Sequence, residues 1–571
     1  MASLTRKRIA GKSYYYLREC QRIEGRPKIV WQKYLGRVEQ VVAALEQHAR
    51  GADLPQARQA AVTSLGAVAA LYDLAARLDL VGIIDRHVPK RGPGPSVGTY
   101  LLIATLNRCI APVSKARVGP WFESTVLRRL LAVDARQLTS QRFWDNMNRV
   151  SAQAIRSIEE ELVGRMADEF QLDLSQLLFD ATNFFTFIDT FNGKAPLARR
   201  GKSKEGRQSL RIVGVALLVT SDFHVPLLHH TYPGNQTDCP TFSELIGSMS
   251  ERCQRLLEGV QRVTLIFDKG NNSSANLNSL SDSPFHFVGS LVPTQHPDLL
   301  AIPRRSLKPL ADAGLPGVYA YRTTKEIFGT SRTVVVTYNE ALFVAQSRTL
   351  LREIGKRQQQ LQELSQRLLS WRAKPTTAPR RPTMEGTRKT LDSILQGRHM
   401  KDLFQAELTE QGGLPILKHS FNNAEWERLQ ETLLGKTLLF TDHQDWSNAQ
   451  IVRAYRAQSV VEDAFRRMKD PAHICIRPQH HWTDQKIRVH VFTCVLALAL
   501  CSLLRRCAFQ KGIDMSIPRL LDLLDGIREA VLVFPAPTAQ GEPVVRSSLT
   551  RMNSQQQQLF EAFNLARHCA A

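Results

Sequence analysis

The chain has 571 residues, 43% hydrophobic and 22% charged, which is enough for several domains around at least one large core. Seventy-five Lys and Arg face 53 Asp and Glu, giving a formal charge of +22 and an isoelectric point near 9.8. That balance points to a polyanionic partner, DNA or RNA, and argues against a sugar-groove hydrolase built on paired carboxylates.

The N-terminus, "MASLTRKRIAGKSYYYL", is basic and lacks an apolar core, so no signal peptide is expected. Short alternating runs around "YYYL" and "KIVWQKYL" predict a small basic β-ribbon over residues 1–50, read as a DNA contact. Residues 51–170 read as a helical DNA-binding region, interrupted by the loop "KRGPGPSVG". The nine cysteines form no CxxC pair, so a zinc site is not expected and the chain suits a reducing cytosol.

Near residue 171 the pattern changes to strands. "LSQLLFDATNFFTF", "RIVGVALLVT" and "VPLLHHTY" read as three successive strands. An amphipathic helix follows over residues 241–260, then the strands "RVTLIFD" and "FHFVGSL". Residues 292–434 interrupt this with a hairpin, a long polar helix and a Pro/Thr/Arg-rich loop, read as an insertion domain. "TLLFTD" resumes the sheet before the helix "YRAQSVVEDAFRRMKD". The 14-residue apolar run Val491 to Leu504 is too short to span a bilayer and reads as a buried helix, so no membrane partner is expected. Residues 511–571 read as a C-terminal tail, helical in part.

Two aspartates stand out. Asp180 and Asp268 each end an apolar strand run, where a charged residue needs a reason. A single strand-end Asp most often caps a turn. Two on neighbouring strands can converge on one rim, where they repel unless a cation bridges them. The later helix supplies a third carboxylate. At about 100° per residue, Tyr455, Glu462 and Lys469 fall within about 40° on one face, with Gln458 and Arg466 close by. A solvated face is the ordinary reading of such charges. A carboxylate flanked by phosphate binders is also what two-metal phosphodiester chemistry uses.

These residues resemble the DDE transposases of bacterial insertion sequences, in the subgroup with a Tyr-Arg-Glu-Lys helix. Tyr455, Glu462 and Lys469 match that spacing, and Gln458 stands where the family has Arg. "LLFDATNFF", "YPGNQTD", "LIFDKGNNSSANLNSL" and "WTDQKIRVHVFTCVLALAL" follow in the family's order. The resemblance implies a ribonuclease-H-like α/β fold: a mixed sheet with an insertion domain, preceded by the β-ribbon and helical region. The catalytic domain is expected over 171–291 and 435–510. The resemblance also implies a catalytic and metal-binding triad of Asp180, Asp268 and Glu462, with Mg²⁺ or Mn²⁺ as cofactor. Tyr455, Gln458, Arg466 and Lys469 are the implied phosphate contacts, and Arg199, Arg200 and Lys202 on the basic loop are further candidates for DNA.

The implied activity is cut-and-paste transposition: cleavage of transposon ends and transfer of the 3′ strand to target DNA. The partners would be duplex DNA with terminal inverted repeats, target DNA and a second copy of the chain in a synaptic complex. The place would be the bacterial cytoplasm, at the nucleoid. A non-catalytic DNA-binding regulator and a structure-specific nuclease on the same scaffold are the rival readings. Trp371, Trp426 and Trp446 are aromatic candidates for contact with an unstacked base, although packing is the commoner role for any one of them.

Overall fold

The computed structural model describes residues 2–9, 12–23, 26–42, 59–90, 92–207, 209–236, 242, 263–374, 379–477, 479–534 and 544–570. Except for Phe242, the helix expected over 241–260 lies outside the described residues. The chain divides into two compact units.

The first unit comprises residues 1–158, 470–475 and 492–571. Its N-terminal ribbon forms as expected from three antiparallel strands: β1 (Ala2–Ile9), β2 (Lys12–Ile23) and β3 (Arg26–Gly36). Tyr14 and Tyr16 lean on Tyr34, and Arg18 and Arg37 lie over Tyr16 and Tyr14. The ribbon thus presents cations on an aromatic surface.

Helices dominate the rest of this unit, including Gly66–Arg77, Leu80–His87 and Val97–Ile110. One element departs from the helical expectation. β4 (Gln59–Ser64) pairs with a strand of the C-terminal tail, β17 (Arg528–Phe534), which in turn pairs with β18 (Val544–Leu549). The tail is therefore part of a sheet as well as helical at Ile517–Asp525 and Ser554–Ala562. Its partner strand lies more than 450 residues upstream, a separation that local pattern does not encode.

The second unit comprises residues 159–469 and 476–491 and is built on one ten-stranded mixed sheet. Its ribonuclease-H-like part is centred on β5 (Gln176–Phe185), antiparallel to β7 (Arg211–Thr220), which is antiparallel to β8 (Pro226–Pro233). On the other side β9 (Val263–Phe267) is parallel to β5, and β10 (Phe285–Ser290) is parallel to β9. Three antiparallel strands followed by two parallel ones, with the first strand central, is the ribonuclease-H-like arrangement. β7 is buried at every position, which explains its unbroken apolar run. Phe242 packs on Phe179 and Phe267 at 4.9 and 5.0 Å between ring centres. Gly234 of "YPGN" lets the chain cross β7: a Cβ there would lie 1.9 Å from the Ile212 carbonyl oxygen.

Beyond β10 the sheet continues through β16 (Lys436–Thr441) to β13 (Thr330–Asn339), β12 (Val318–Ile327) and the two-residue edge strand β11 (Lys308–Pro309). The hairpin read within the insertion therefore extends the main sheet. The reason is its composition, because Val334, Val335 and Val336 are all fully buried. Outside the sheet stand the 31-residue helix Glu340–Ser370, the helix Met384–Ile394, and a two-stranded ribbon of β14 (Phe404–Gln411) and β15 (Leu414–Phe421).

The apolar run near residue 500 lies in a 27-residue helix, Asp484–Gln510. By length and composition alone it is long and apolar enough to cross a membrane, and 94% of its most apolar window is buried inside the protein.

Candidate active site

β5 and β9 run parallel in register, with Leu178 beside Ile266 and Phe179 beside Phe267. The next residue on each strand is an aspartate. Asp180 and Asp268 therefore sit side by side where β9 ends, on strands about 4.8 Å apart. The apolar run ends at Asp180, and β5 itself continues to Phe185 against β7, within the strand read over "LSQLLFDATNFFTF". Asp180 accepts a hydrogen bond from the backbone N–H of Ala181 at 2.7 Å.

Asp268 is held by two hydroxyls. Ser290, the last residue of β10, donates to its Oδ1 at 3.2 Å, and Tyr455 donates to the same oxygen at 3.3 Å. The two hydroxyl oxygens also lie 2.8 Å apart, with Tyr455 as donor to Ser290, so their two protons serve these three contacts in turn. Burial raises the Tyr455 pKa above its usual value, and the nearby Asp268 and Glu462 carboxylates push it the same way, so the phenol stays a donor. Ser290 is fully buried and carries no sequence signal beyond its place at the end of an apolar strand.

The helix drawn from the sequence as one piece is two. Asn448–Arg456 carries Tyr455, and Gln458–Lys469 carries Glu462 and Lys469. The break falls at Ala457, where the Val460 amide bonds back three residues. A β-branched pair, Val460–Val461, weakens the local helix, and the side chains on either side are claimed by different strands. Tyr455 reaches β10 and the end of β9, while Gln458 reaches β5. The second helix packs on β5 through Val461, Ala464, Phe465 and Met468, all buried. Burial of each large side chain contributes about 1.5–3 kcal/mol, enough to hold the helix in place.

Glu462 is exposed on this helix, and its charge acts on Tyr455. Lys469 donates to Thr182 Oγ1 at 3.1 Å and lies 5.4 Å over the Phe184 ring. Burial lowers its pKa; Glu205 and, more weakly, Asp180 act in the opposite direction, and Lys204 and Arg477 add to the lowering. Asp268 and Glu462 thus both act on Tyr455, and Asp180 acts on Lys469.

Two expected phosphate contacts face elsewhere. Gln458 is buried and donates its amide to the Phe179 carbonyl at 3.0 Å, one residue before Asp180. A neutral amide fits beneath a strand where a guanidinium would be desolvated at a cost. Arg466 pairs with Asp463 at 3.0 Å on the outer face of the helix. Arg199, Arg200 and Lys202 are exposed on the loop after β5, the first two forming the short edge strand β6 (Arg199–Arg200) against β7. The same loop folds back on β5: Lys204 bonds the Ala181 carbonyl at 2.7 Å, and Asn183 bonds the Lys202 carbonyl at 3.1 Å.

The donor set suits a hard divalent cation. It is entirely carboxylate oxygen, on neighbouring strands and the helix packed on β5, although the ligand atoms of Asp180, Asp268 and Glu462 do not all lie within 4.8 Å of one another. Among the described residues, one group of three His, Cys, Asp or Glu side chains has ligand atoms within 4.8 Å of one another: His286, Asp442 and His443, at the opposite end of β9 and β10. Its imidazoles are stacked, 4.5 Å between centres and 28° between planes, and Trp446 stacks on His443 at 3.9 Å. Ring-nitrogen lone pairs lie in the ring plane, so stacked rings aim past each other. His443 bonds Thr264 and His286 bonds Asp442, each pair within 3 Å. That cluster is a packed polar plug, and it accounts for Trp446.

Residues 174–500, more than half of the chain, match the family model for the transposase DDE domain. The chain belongs to the DDE transposases. No curated protein matches the sequence. Among solved structures, the transposase is similar to a piggyBac transposase in a synaptic complex with hairpin DNA, determined by electron cryomicroscopy. The identity is 9% over 82% of each chain, with a TM-score of 0.33, and no site correspondence follows at that level. Beside the transposase's two aspartates, Tyr455, Ser290 and Lys269 line one wall of a cavity of about 570 Å³, closed by the Glu340–Ser370 helix and the turn at Arg398–Met400.

Proposed function

We propose that this transposase cuts the ends of a bacterial insertion sequence and joins the 3′ strands to target DNA, with Asp180, Asp268 and Glu462 as its catalytic and metal-holding residues. The observation that carries this reading is the register of Asp180 with Asp268, completed by Tyr455 reaching Asp268 from the helix next to Glu462. A bound Mg²⁺ or Mn²⁺ supplies Lewis-acid polarisation of the phosphodiester and a nucleophilic oxygen at neutral pH.

The chain's own residues do the positioning. Asp180, Asp268 and Glu462 present carboxylate oxygens to the cation. Ser290 and Tyr455 fix the orientation of Asp268 by donating to one of its oxygens, leaving its negative charge directed at the rim. Lys469, seated on Thr182 and Phe184, holds positive charge beside the rim for a backbone phosphate. The match of Tyr455, Glu462 and Lys469 to the Tyr-Arg-Glu-Lys spacing supports that subgroup, with Gln458 acting on strand β5 rather than on phosphate.

Arg199, Arg200 and Lys202, together with the basic aromatic ribbon β1–β3, are the proposed duplex contacts. Inverted repeats at the two ends call for two copies in one DNA-bridged complex. The proposed setting is the bacterial cytoplasm, at the nucleoid. The test is cleavage of a duplex carrying the DNA that flanks the reading frame, with Mg²⁺ or Mn²⁺. Wild type should nick at the end of the element, and Asp180→Ala, Asp268→Ala and Glu462→Gln should not. Specific binding without nicking by the wild type would favour a regulator, and cutting of branched DNA without such ends a structure-specific nuclease.

A further inference from the structure

Beyond the catalytic rim, β5 leads into a loop with an unusual surface. Phe187 is 50% exposed and Phe191 94%, and on the neighbouring segment Trp482 is 63% exposed. His480, also exposed, stacks on Phe187 with centres 5.3 Å apart and planes 22° apart. Single exposed aromatics are common, but four gathered on two adjoining segments form a patch that calls for a partner.

The loop is held rigid from below. Buried Arg211 donates to four of its carbonyls, those of Asp189, Asn192, Ala195 and Ala198. The two segments are also tied together. The Phe187 amide bonds the Gln479 carbonyl at 3.0 Å, Asn192 bonds the Trp482 carbonyl at 3.0 Å, and Asp484 accepts from the Leu197 amide at 2.9 Å. The aromatic rings therefore stand on a preorganised platform and not on a loose loop.

Cations interleave with the rings. Lys486 lies 5.4 Å over Trp482, and Arg477 and Arg207 lie 4.7 and 5.6 Å from the ring centre of Phe185, which itself packs on Phe187 at 5.6 Å. The patch is linked to the candidate active site through Arg477, which lies over Phe185 and donates to the Lys469 carbonyl at 2.6 Å, while Lys469 itself sits over Phe184. Exposed π-faces in a positively charged track suit nucleotide bases whose own faces are open, together with their backbone phosphates. A paired duplex hides its base faces in the stack and has nothing to offer Phe191 or Trp482.

We propose that Phe187, Phe191, His480 and Trp482 form a stacking platform for an unpaired DNA strand leaving the catalytic rim. The proposal rests on the transposase reading for its location, but its binding test does not depend on cleavage. Intrinsic tryptophan emission and the fluorescence anisotropy of a labelled strand are titrated with an oligothymidylate and with a blunt duplex of equal length, using full-length wild type, Trp482→Ala, Phe191→Ala, Phe187→Ala and Asp180→Ala; the emission change lost in Trp482→Ala is the part that belongs to Trp482 among the seven tryptophans. Wild type should show quenching by the single strand that weakens with salt. Each aromatic variant should bind the single strand about tenfold more weakly, the loss of one stacking contact, while keeping its affinity for the duplex. Asp180→Ala should keep both affinities and lose cleavage alone, which separates failure of the platform from failure of the active-site reading. Phe191 is nearly fully exposed, so its variant tests the surface without threatening the fold. Unchanged single-strand affinity in the aromatic variants, or equal loss for single strand and duplex, would overturn the platform.

Discussion

The two ends of β9 carry polar clusters of opposite design. At its C-terminal end Asp268 lies beside Asp180 and is held by two hydroxyls, one of them Tyr455, on which the exposed Glu462 also acts. Near its N-terminal end Thr264 bonds His443, which is stacked between His286 and Trp446. By residue type and proximity the histidine end looks the better metal site. By orientation it is the poorer one, because its rings face each other and its polar atoms are spent on protein partners. Ligand direction, more than ligand density, separates a site from a plug.

Several substitutions test that contrast. The largest effect is expected from Asp180→Ala or Asp268→Ala, which should lower end cleavage by more than about a hundredfold, beyond the range seen for residues that only support a metal ligand. His286→Ala and His443→Ala should leave cleavage near wild type while lowering the melting temperature. Cleavage that follows the histidines and ignores the aspartates would reverse the assignment of the two ends.

Next in size is Tyr455→Phe, which removes one donor to Asp268 while keeping the ring. Cleavage should fall about tenfold or somewhat more, with partial recovery at raised divalent-ion concentration. Ser290→Ala should behave in the same way, and an undiminished rate in both would mean that Asp268 needs no fixing.

Gln458→Ala removes the amide that supports Phe179. It should cost about 1–3 kcal/mol in denaturant unfolding, since a buried carbonyl loses its donor. Its effect on DNA affinity, read by filter binding, should be small. A large loss of affinity with unchanged stability would return Gln458 to the phosphate contacts.

The smallest expected effect is on pH dependence at the histidine end. Burial lowers the His443 pKa from 6.5, with His286 adding to the lowering and Asp442 and Asp445 opposing it. The unfolded chain then binds the proton more readily, so stability is present above pH 6.5 and is lost as pH falls below it. His443→Gln should flatten that acid limb in a melting-temperature series. A limb of unchanged steepness would assign it to other groups.

The aspartates were legible because charge is rare at the end of an apolar strand run, and the helix because Tyr455, Glu462 and Lys469 keep a seven-residue spacing. What the sequence hid was set by tertiary contacts. The break at Ala457 arises because Tyr455 and Gln458 answer to different strands, and a helical wheel assumes one axis. Gln458 and Arg466 share a stripe with Glu462 on that wheel, yet one points under β5 and the other pairs with Asp463. Ser290 had no signal at all, since a serine at a strand end is ordinary until Tyr455 arrives from 165 residues away. The pairing of β4 with β17 was equally silent, because neither strand has a local partner. Trp482 carries no local signal, because its exposure depends on the Arg211-braced loop beside it, whereas Trp446 is spent on a histidine stack.

The most direct test of the central claim is single-turnover nicking of a duplex bearing the element's own end, with Mn²⁺, by wild type and by Asp268→Ala matched for end binding. The account predicts a nick at the element boundary from the wild type and none from the variant. Equal nicking by both proteins would contradict it.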